Sequence, residues 1–399
     1  MQSTQTAERW DVFCRVVDNF GDVGVSWRLA RQVAREHGKR VRLWLDDLTV
    51  LAKLRPEIDA ARDLQSLDQV EVARLREPFA VGEVADVVVE TFGCDPPEAY
   101  VHAMAAHQRK PRWINLEYLS AEDWVAGSHA LPSPNPRLPL VKHYFFPGFT
   151  PRTGGLLRER SLIARRDEFQ ADAGAQAAFW RSLVGKVPPP SALKVSLFAY
   201  AGAPLDALAR SCMHYPGPVW LLASEGVAAS ALRSLVTPAH DTIRRNEHSG
   251  GRRRELEVFE IPFLAQDRYD QLLWASDVNF VRGEDSFVRA QWAGRPFAWN
   301  IYPTEDGAHW VKMAAFLALY TQALDRAPAA AVTALWEAWN RVGVDESSGK
   351  VPPSLRDAWA GFVARREALE AHSRAWSAGL AARRDLAAEL VDFADNVIK

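Results

Sequence analysis

Short, continuous apolar runs bounded by turn residues alternate along this chain with longer stretches in which apolar side chains recur near every third or fourth position. The short runs predict strands buried on both faces and the longer stretches predict helices packed by one side. Their alternation predicts a parallel α/β architecture. Residues 11–17, beginning Asp11-Val12-Phe13-Cys14, read as a strand and residues 18–24 as a turn-rich loop. Residues 25–37 then read as a helix stopped by Gly38, and residues 41–45 as the next strand. Residues 86–90 and 113–116 add further strands. The order repeats in the second half, with a strand over 193–199, a turn over 200–204, a helix over 205–213 and a strand over 219–223. Strands over 256–261, 277–281 and 296–300 follow, and from Ser354 to Ile398 the pattern is almost wholly helical.

Two proline runs punctuate this order. Leu131-Pro132-Ser133-Pro134-Asn135-Pro136-Arg137-Leu138-Pro139 and Val187-Pro188-Pro189-Pro190 cannot be helix interiors, and they suit a surface crossing and an interdomain linker. A chain of 399 residues is long for one core, so two domains are expected. Residues 1–165, completed by a C-terminal helix over about 375–399, form a first Rossmann-like domain, and residues 185–370 form a second. Two such domains facing each other across a cleft make the plan of GT-B-type glycosyltransferases. There the second domain holds the nucleotide diphosphate and the first faces the acceptor. The same plan serves two-lobed binding proteins, so layout alone does not separate them.

Composition narrows the partners. A formal net charge of −2 argues against bulk affinity for nucleic acid or an anionic membrane. The Arg252-Arg253-Arg254 run reads as a solvated loop flanked by Glu255 and Glu257. No apolar run approaches the ~20 residues needed to span a bilayer, and the polar first residues carry no export signal, so a cytoplasmic location is expected. Cys14, Cys94 and Cys212 are isolated and odd in number, which suits reduced thiols better than disulfides or a zinc cluster. No metal site and no cofactor are expected.

The candidate chemistry lies where predicted strands end and helices begin. Val281-Arg282-Gly283-Glu284-Asp285-Ser286-Phe287-Val288-Arg289-Ala290-Gln291 leaves a buried strand and opens an amphipathic helix ending at Gly294. In an open α/β sheet ligands bind at such edges, and a helix N-terminus suits phosphate. Arg282, the Ser286 hydroxyl and the first helical N–H groups can meet a diphosphate. Glu284 and Asp285 read equally as first-turn capping residues. In the first half, Asp18-Asn19-Phe20-Gly21-Asp22-Val23-Gly24 concentrates acid at the corresponding place. Its glycines fall short of the G-x-G-x-x-G spacing, so a nicotinamide or flavin site is poorly supported. Tyr200 and Phe263 follow strand ends, where an aromatic ring either stacks on a base or belongs to the core. Gln266 can read a base edge or cap the helix over 267–274, and His309 with Lys312 reads best as a solvated helical face.

Three separated blocks carry a specific resemblance: the run from Phe13 to Arg31 containing Asp18-Asn19-Phe20-Gly21-Asp22; Leu116-Glu117-Tyr118-Leu119-Ser120-Ala121-Glu122; and Arg282 to Gly294 with Ile301-Tyr302-Pro303. Together, and in this order, they resemble the bacterial protein-arginine rhamnosyltransferases that modify translation elongation factor P. The resemblance implies a metal-independent, inverting GT-B enzyme that moves L-rhamnose from dTDP-β-L-rhamnose to one arginine of that acceptor protein. It implies nucleotide-sugar contacts at Asn19, Phe20, Gly21, Tyr200, Phe263, Gln266, Arg282, Gly283, Asp285 and Ser286. It also implies catalytic carboxylates at Asp22, Asp18 and Glu284, with Asp22 as general base. Two other readings stand beside it: a GT-B enzyme with a different donor or acceptor, and a non-catalytic two-lobed sugar-nucleotide-binding protein. Clustered acids facing a sugar carbon count against the second.

Overall fold

The computed structural model describes residues 7–17, 19–233, 242–243, 255–341 and 354–397. Asp18 and the Arg252-Arg253-Arg254 run lie outside these residues. The chain divides into two compact units, Met1–Leu162 with Leu380–Lys399, and Ile163–Gly379. Among the described residues no helix is long and apolar enough to cross a membrane.

The first unit is built on eight strands: β1 (Arg9–Cys14), β2 (Arg40–Leu45), β3 (Leu64–Leu67), β4 (Val70–Arg74), β5 (Val87–Thr91), β6 (Arg112–Leu116), β7 (Pro132–Pro134) and β8 (Val141–Phe145). Their spatial order is β3-β4-β2-β1-β5-β6-β8-β7. The six inner strands are parallel, with Trp10 opposite both Val41 and Val87, and an antiparallel strand closes each edge. The inner order is that of a Rossmann sheet and reverses direction between β1 and β5. β5 is buried along its whole length, its three valines as an apolar run requires and Glu90 with Thr91 as buried polar groups. One core cluster joins Phe13, Leu75, Val88, Tyr100, Met104 and Trp113.

The second unit repeats the plan with β9 (Leu193–Leu197), β10 (Val219–Ser224), β11 (Thr242–Ile243), β12 (Leu256–Ile261), β13 (Val278–Arg282) and β14 (Phe297–Asn300). Their order is β11-β12-β10-β9-β13-β14, parallel except for β11. Here the order reverses between β9 and β13. Gly294 ends the Asp285–Ala293 helix in the left-handed conformation, φ 63°, which a side chain would strain.

Several expectations are corrected. Residues 19–24 are not a loop: the helix starts at Asn19 and runs to His37. Gly21 and Gly24 are therefore helical, and Asp22 lies in the first turn, where a carboxylate complements the helix dipole. Within the first proline run, Pro132–Pro134 is a short edge strand, tolerated because an edge leaves the missing N–H groups unneeded. The Val187-Pro188-Pro189-Pro190 run lies inside the second unit, between the Ala173–Val184 helix and β9. The β3–β4 hairpin escaped the sequence reading because its turn is Asp68-Gln69, with φ of 52° and 68°, in place of the glycine-containing pair that usually marks such a turn. His309 is buried, not on a solvated face, and its Nδ1 accepts from the Thr304 N–H at 3.0 Å.

Asp270 and Arg289 lock two helices of the second unit together. Both side chains are 2 % exposed, and two bonds of 2.9 and 2.6 Å join the guanidinium to the carboxylate. Removing one partner strands a buried charge. Asp270→Ala is expected to destabilise the protein by about 3–5 kcal/mol in denaturant unfolding. A loss below about 1 kcal/mol would show that this pair does not hold the helices.

Candidate active site

At the reversal point of the first sheet, the chain leaves β1 at Cys14 and enters the Asn19–His37 helix. Asp22 is 1 % exposed in its first turn. Its Oδ2 accepts the Val17 N–H at 2.9 Å, and its Oδ1 accepts the Tyr118 hydroxyl at 3.2 Å. Tyr118 comes from beyond β6 and stacks on Phe92, the first residue past β5, with ring centroids 4.3 Å apart and 13° between planes. Phe92 takes a left-handed φ of 60°, and its N–H is held by the Leu116 carbonyl at 2.7 Å. Beside Tyr118, Glu117 accepts the Asn115 amide at 2.6 Å, and burial pushes its carboxyl above the usual range against that bond. Asn19 opens the helix, Gly21 follows in the same turn, and the half-buried Phe20 ring lies 5.9 Å from Lys53 Nζ.

At the reversal point of the second sheet, Tyr200 follows β9 and Arg282 closes β13. The Arg282 guanidinium lies between two rings, 4.4 Å from Phe198 and 4.5 Å from Tyr200. Tyr200 is fixed by its N–H to Asn300 Oδ1 at 2.9 Å and by an edge contact with Tyr302 at 5.4 Å. Phe263, past β12, meets Phe198 edge-on at 6.4 Å. Gly283 turns the chain at φ 62°, and its carbonyl accepts the Trp299 indole at 2.8 Å.

Ser286 folds back on the same turn. Its hydroxyl accepts the Arg282 N–H at 3.1 Å and donates to the Arg282 carbonyl, so its proton is committed to the strand-to-helix junction. Gln266 does not cap its helix: Ala265 holds the cap position, and Gln266 donates to Asp285 Oδ2 at 3.3 Å. Glu284 holds the cap position of the Asp285–Ala293 helix in a helical conformation and makes no side-chain capping bond. The capping reading of Glu284 therefore fails.

Each unit thus gathers its own share of the predicted residues. Asp22 stands with Tyr118 in the first. In the second, Tyr200, Phe263 and Arg282 meet through Phe198, while Gln266 and Ser286 anchor the two sides of the helix start. Sequence reasoning gave no role to Tyr118, Phe198 or Tyr302, although Tyr118 and Tyr302 lie in the motif blocks. Phe198 was legible only as two residues before Tyr200, on the same face of an extended chain. Among the described residues no group of three His, Cys, Asp or Glu side chains has metal-binding geometry.

Two Rossmann-type units, each with polar and aromatic groups where parallel strands end, are the plan of GT-B glycosyltransferases, and the solved structures that match this chain place it in that fold class. The crystal structure of Acinetobacter baumannii MurG shares that fold, with a TM-score of 0.50 at 12 % identity over 97 % of this chain and 99 % of that one. The chain belongs to the family of Elongation-Factor P (EF-P) rhamnosyltransferases, EarP, whose profile matches residues 10–395. It is 47 % identical to the protein-arginine rhamnosyltransferase of Pseudomonas putida over 97 % of this chain and 98 % of that protein. Identity to the protein of the same description from Pseudomonas aeruginosa is 43 %, over 96 % and 98 %. A solved structure described as the structural basis for EarP-mediated arginine glycosylation of translation elongation factor EF-P matches with a TM-score of 0.64 at 35 % identity, covering 98 % of this chain and 100 % of that one.

Two thiols border the first site. Cys94 Sγ contacts the Phe13 carbonyl at 3.2 Å, and burial pushes both Cys14 and Cys94 up to about 12. Thiolate is the reactive form, so at pH 8 the folded protein is expected to be alkylated by iodoacetamide at these positions roughly a thousandfold more slowly than the unfolded chain. Mass mapping of labelled peptides checks this, and comparable rates would contradict the burial. Because the folded pKa is raised, the unfolded thiols ionise first. The contribution to stability is full below the ordinary thiol pKa and is lost as the pH climbs toward 12.

Proposed function

We propose that this protein transfers L-rhamnose from dTDP-β-L-rhamnose, with inversion and without a metal ion, to an arginine side chain of translation elongation factor P in the cytoplasm. The observation that carries the reading is end-to-end similarity to protein-arginine rhamnosyltransferases. The two sheet-edge sites supply chemistry of the kind the reaction needs.

Donor binding is assigned to the second unit. Arg282, held between Phe198 and Tyr200, brings a fixed positive charge to the strand end, and the start of the Asp285–Ala293 helix offers N–H groups suited to a diphosphate. Tyr200 and Phe263 offer ring faces to a thymine. Asp285 and Gln266 fix the helix start, Gly283 shapes the turn, and Ser286 holds Arg282 through its backbone. Asn19, Phe20 and Gly21 are assigned to the sugar side.

The acceptor is a poor nucleophile at neutral pH, because its guanidinium stays protonated below a pKa of ~12. A neighbouring carboxylate favours the protonated form further, so Asp22 does not strip the proton in advance. With a second acid it orients the planar fork, so that the positive charge is localised away from the attacking nitrogen. As that nitrogen bonds to C1 of the sugar and the C1–oxygen bond to thymidine diphosphate breaks, the nitrogen becomes acidic and its proton passes to Asp22. Glu284 and Asp18 are assigned to stabilising the oxocarbenium-like charge that develops on the sugar.

Incubating purified elongation factor P with this protein and dTDP-β-L-rhamnose is expected to add one deoxyhexose by intact mass, with or without EDTA. No mass gain would reject the reading. Loss of transfer in EDTA, restored by Mg²⁺ or Mn²⁺, would reject its metal-independent form.

The roles separate by kinetics. Asp22→Asn is expected to keep donor affinity within a few-fold while lowering turnover by roughly 10²-fold or more. Arg282→Ala is expected to weaken donor binding instead. Calorimetric titration beside single-turnover rates distinguishes these outcomes, and an Asp22→Asn enzyme with near-normal turnover would remove Asp22 from the mechanism.

A further inference from the structure

We infer that Tyr118 is the positioning residue of the reaction: its hydroxyl, aimed by the stack on Phe92, holds the Asp22 carboxylate in its working orientation. The inference rests on the reading of Asp22 as the base. Asp22 sits on the first helical turn after β1, so its carboxylate could rotate about the side-chain torsion that a first-turn position leaves open. Its two oxygens are instead anchored differently. Oδ2 takes the Val17 N–H, which belongs to its own loop, and Oδ1 takes the Tyr118 hydroxyl from beyond β6.

The phenol is fixed in turn. Tyr118 is 36 % exposed, so burial alone does not orient it, whereas its parallel stack on Phe92 sets the plane of the ring. Phe92 takes a left-handed backbone conformation, uncommon for a bulky residue, and is tied to the end of β6 by its N–H. A strained aromatic beside a reacting group fits a positioning role. A carboxylate oxygen can accept more than one hydrogen bond, so these two bonds are compatible with an incoming guanidinium.

A hydrogen bond to the charged form of an acid lowers its pKa, so removing the phenol should raise that of Asp22. Several described ionisable groups around this sheet edge have partners of their own. Cys14 and Cys94 stay protonated well above neutral pH. Asp46 accepts the Val16 N–H, Arg15 reaches the Cys94 carbonyl and Glu77, and Glu117 is held by Asn115. None of these bonds involves the Tyr118 hydroxyl.

The test compares Tyr118→Phe, which keeps the stack and loses only the hydroxyl, with Tyr118→Leu, which loses both. Single-turnover rhamnosylation of elongation factor P is measured across pH, with donor affinity by calorimetry and the Asp22 carboxyl titrated by carbon-13 NMR. Tyr118→Phe is expected to lower turnover about tenfold or more at unchanged donor affinity. It should also move the acid limb and the Asp22 titration upward by about one pH unit. Wild-type turnover and an unmoved titration in Tyr118→Phe, with only Tyr118→Leu impaired, would reduce Tyr118 to a packing role and overturn the inference alone. A fully active Asp22→Asn enzyme would overturn the reading of the base, and the inference with it.

Discussion

Parallel strand pairing is the constraint from which the rest of this structure follows. A parallel ladder cannot be closed by a tight turn, so each pair of neighbours needs a crossover that returns the chain to the same starting edge. All the carboxyl ends then collect on one side of the sheet, each followed by the start of a helix with unsatisfied N–H groups. Where the strand order reverses, successive crossovers go to opposite faces and leave a crevice. In the first unit that point lies between β1 and β5, and Asp22 and Phe92 follow those two strands. In the second it lies between β9 and β13, which carry Tyr200 and Arg282 at their ends.

Burying both faces of such sheets forces every internal charge to be compensated. Asp11 is fully buried on β1 and takes the Arg42 guanidinium at 3.0 and 2.6 Å and the Tyr100 hydroxyl at 2.6 Å. Glu90 on β5 takes Lys142 at 2.6 Å and the Trp113 indole at 3.1 Å, yet burial still lifts its carboxyl above the usual range. Asp270 and Arg289 do the same work in the second unit. These groups hold elements together and lie along strands and helices. The candidate catalytic groups lie at chain junctions, where the backbone itself supplies partners: Val17 to Asp22, and Arg282 to Ser286.

The two junctions handle opposite charge by different means. Arg282 keeps its guanidinium between aromatic faces, where the ring quadrupoles favour a cation and the planes restrict its motion. Asp22 is anchored through its oxygens by directional donors. Ring faces engage a guanidinium above and below its plane, a mode that suits an anionic ligand at its edge, whereas a carboxylate oriented by directional donors suits a cationic one. That asymmetry suits an anionic ligand at one junction and a cationic one at the other.

Much of this plan is legible along the chain. The strand expected over 256–261 is β12 at both ends, Gly294 stops its helix, and the block from Val281 to Gln291 marks a strand-to-helix junction because strands, helix starts and glycine stops each leave a local signature. Other features are set by contacts that local pattern does not encode. Gly21 and Gly24 read as turn residues, yet the helix begins before them, because the tertiary setting outweighs their weak helix preference. The Ser286 hydroxyl, nominally available to a ligand, is spent on the Arg282 backbone once the junction closes. Tyr118 reaches Asp22 across 96 positions of sequence. That meeting depends on β5 pairing with β1 and β6 with β5 in parallel register, so that residues just past their ends converge. The sequence by itself determined that strands and helices alternate and that a strand hands over to a helix near Arg282; only the order and register of the sheets decided which strand ends and helix starts meet, because those contacts join residues far apart in the chain.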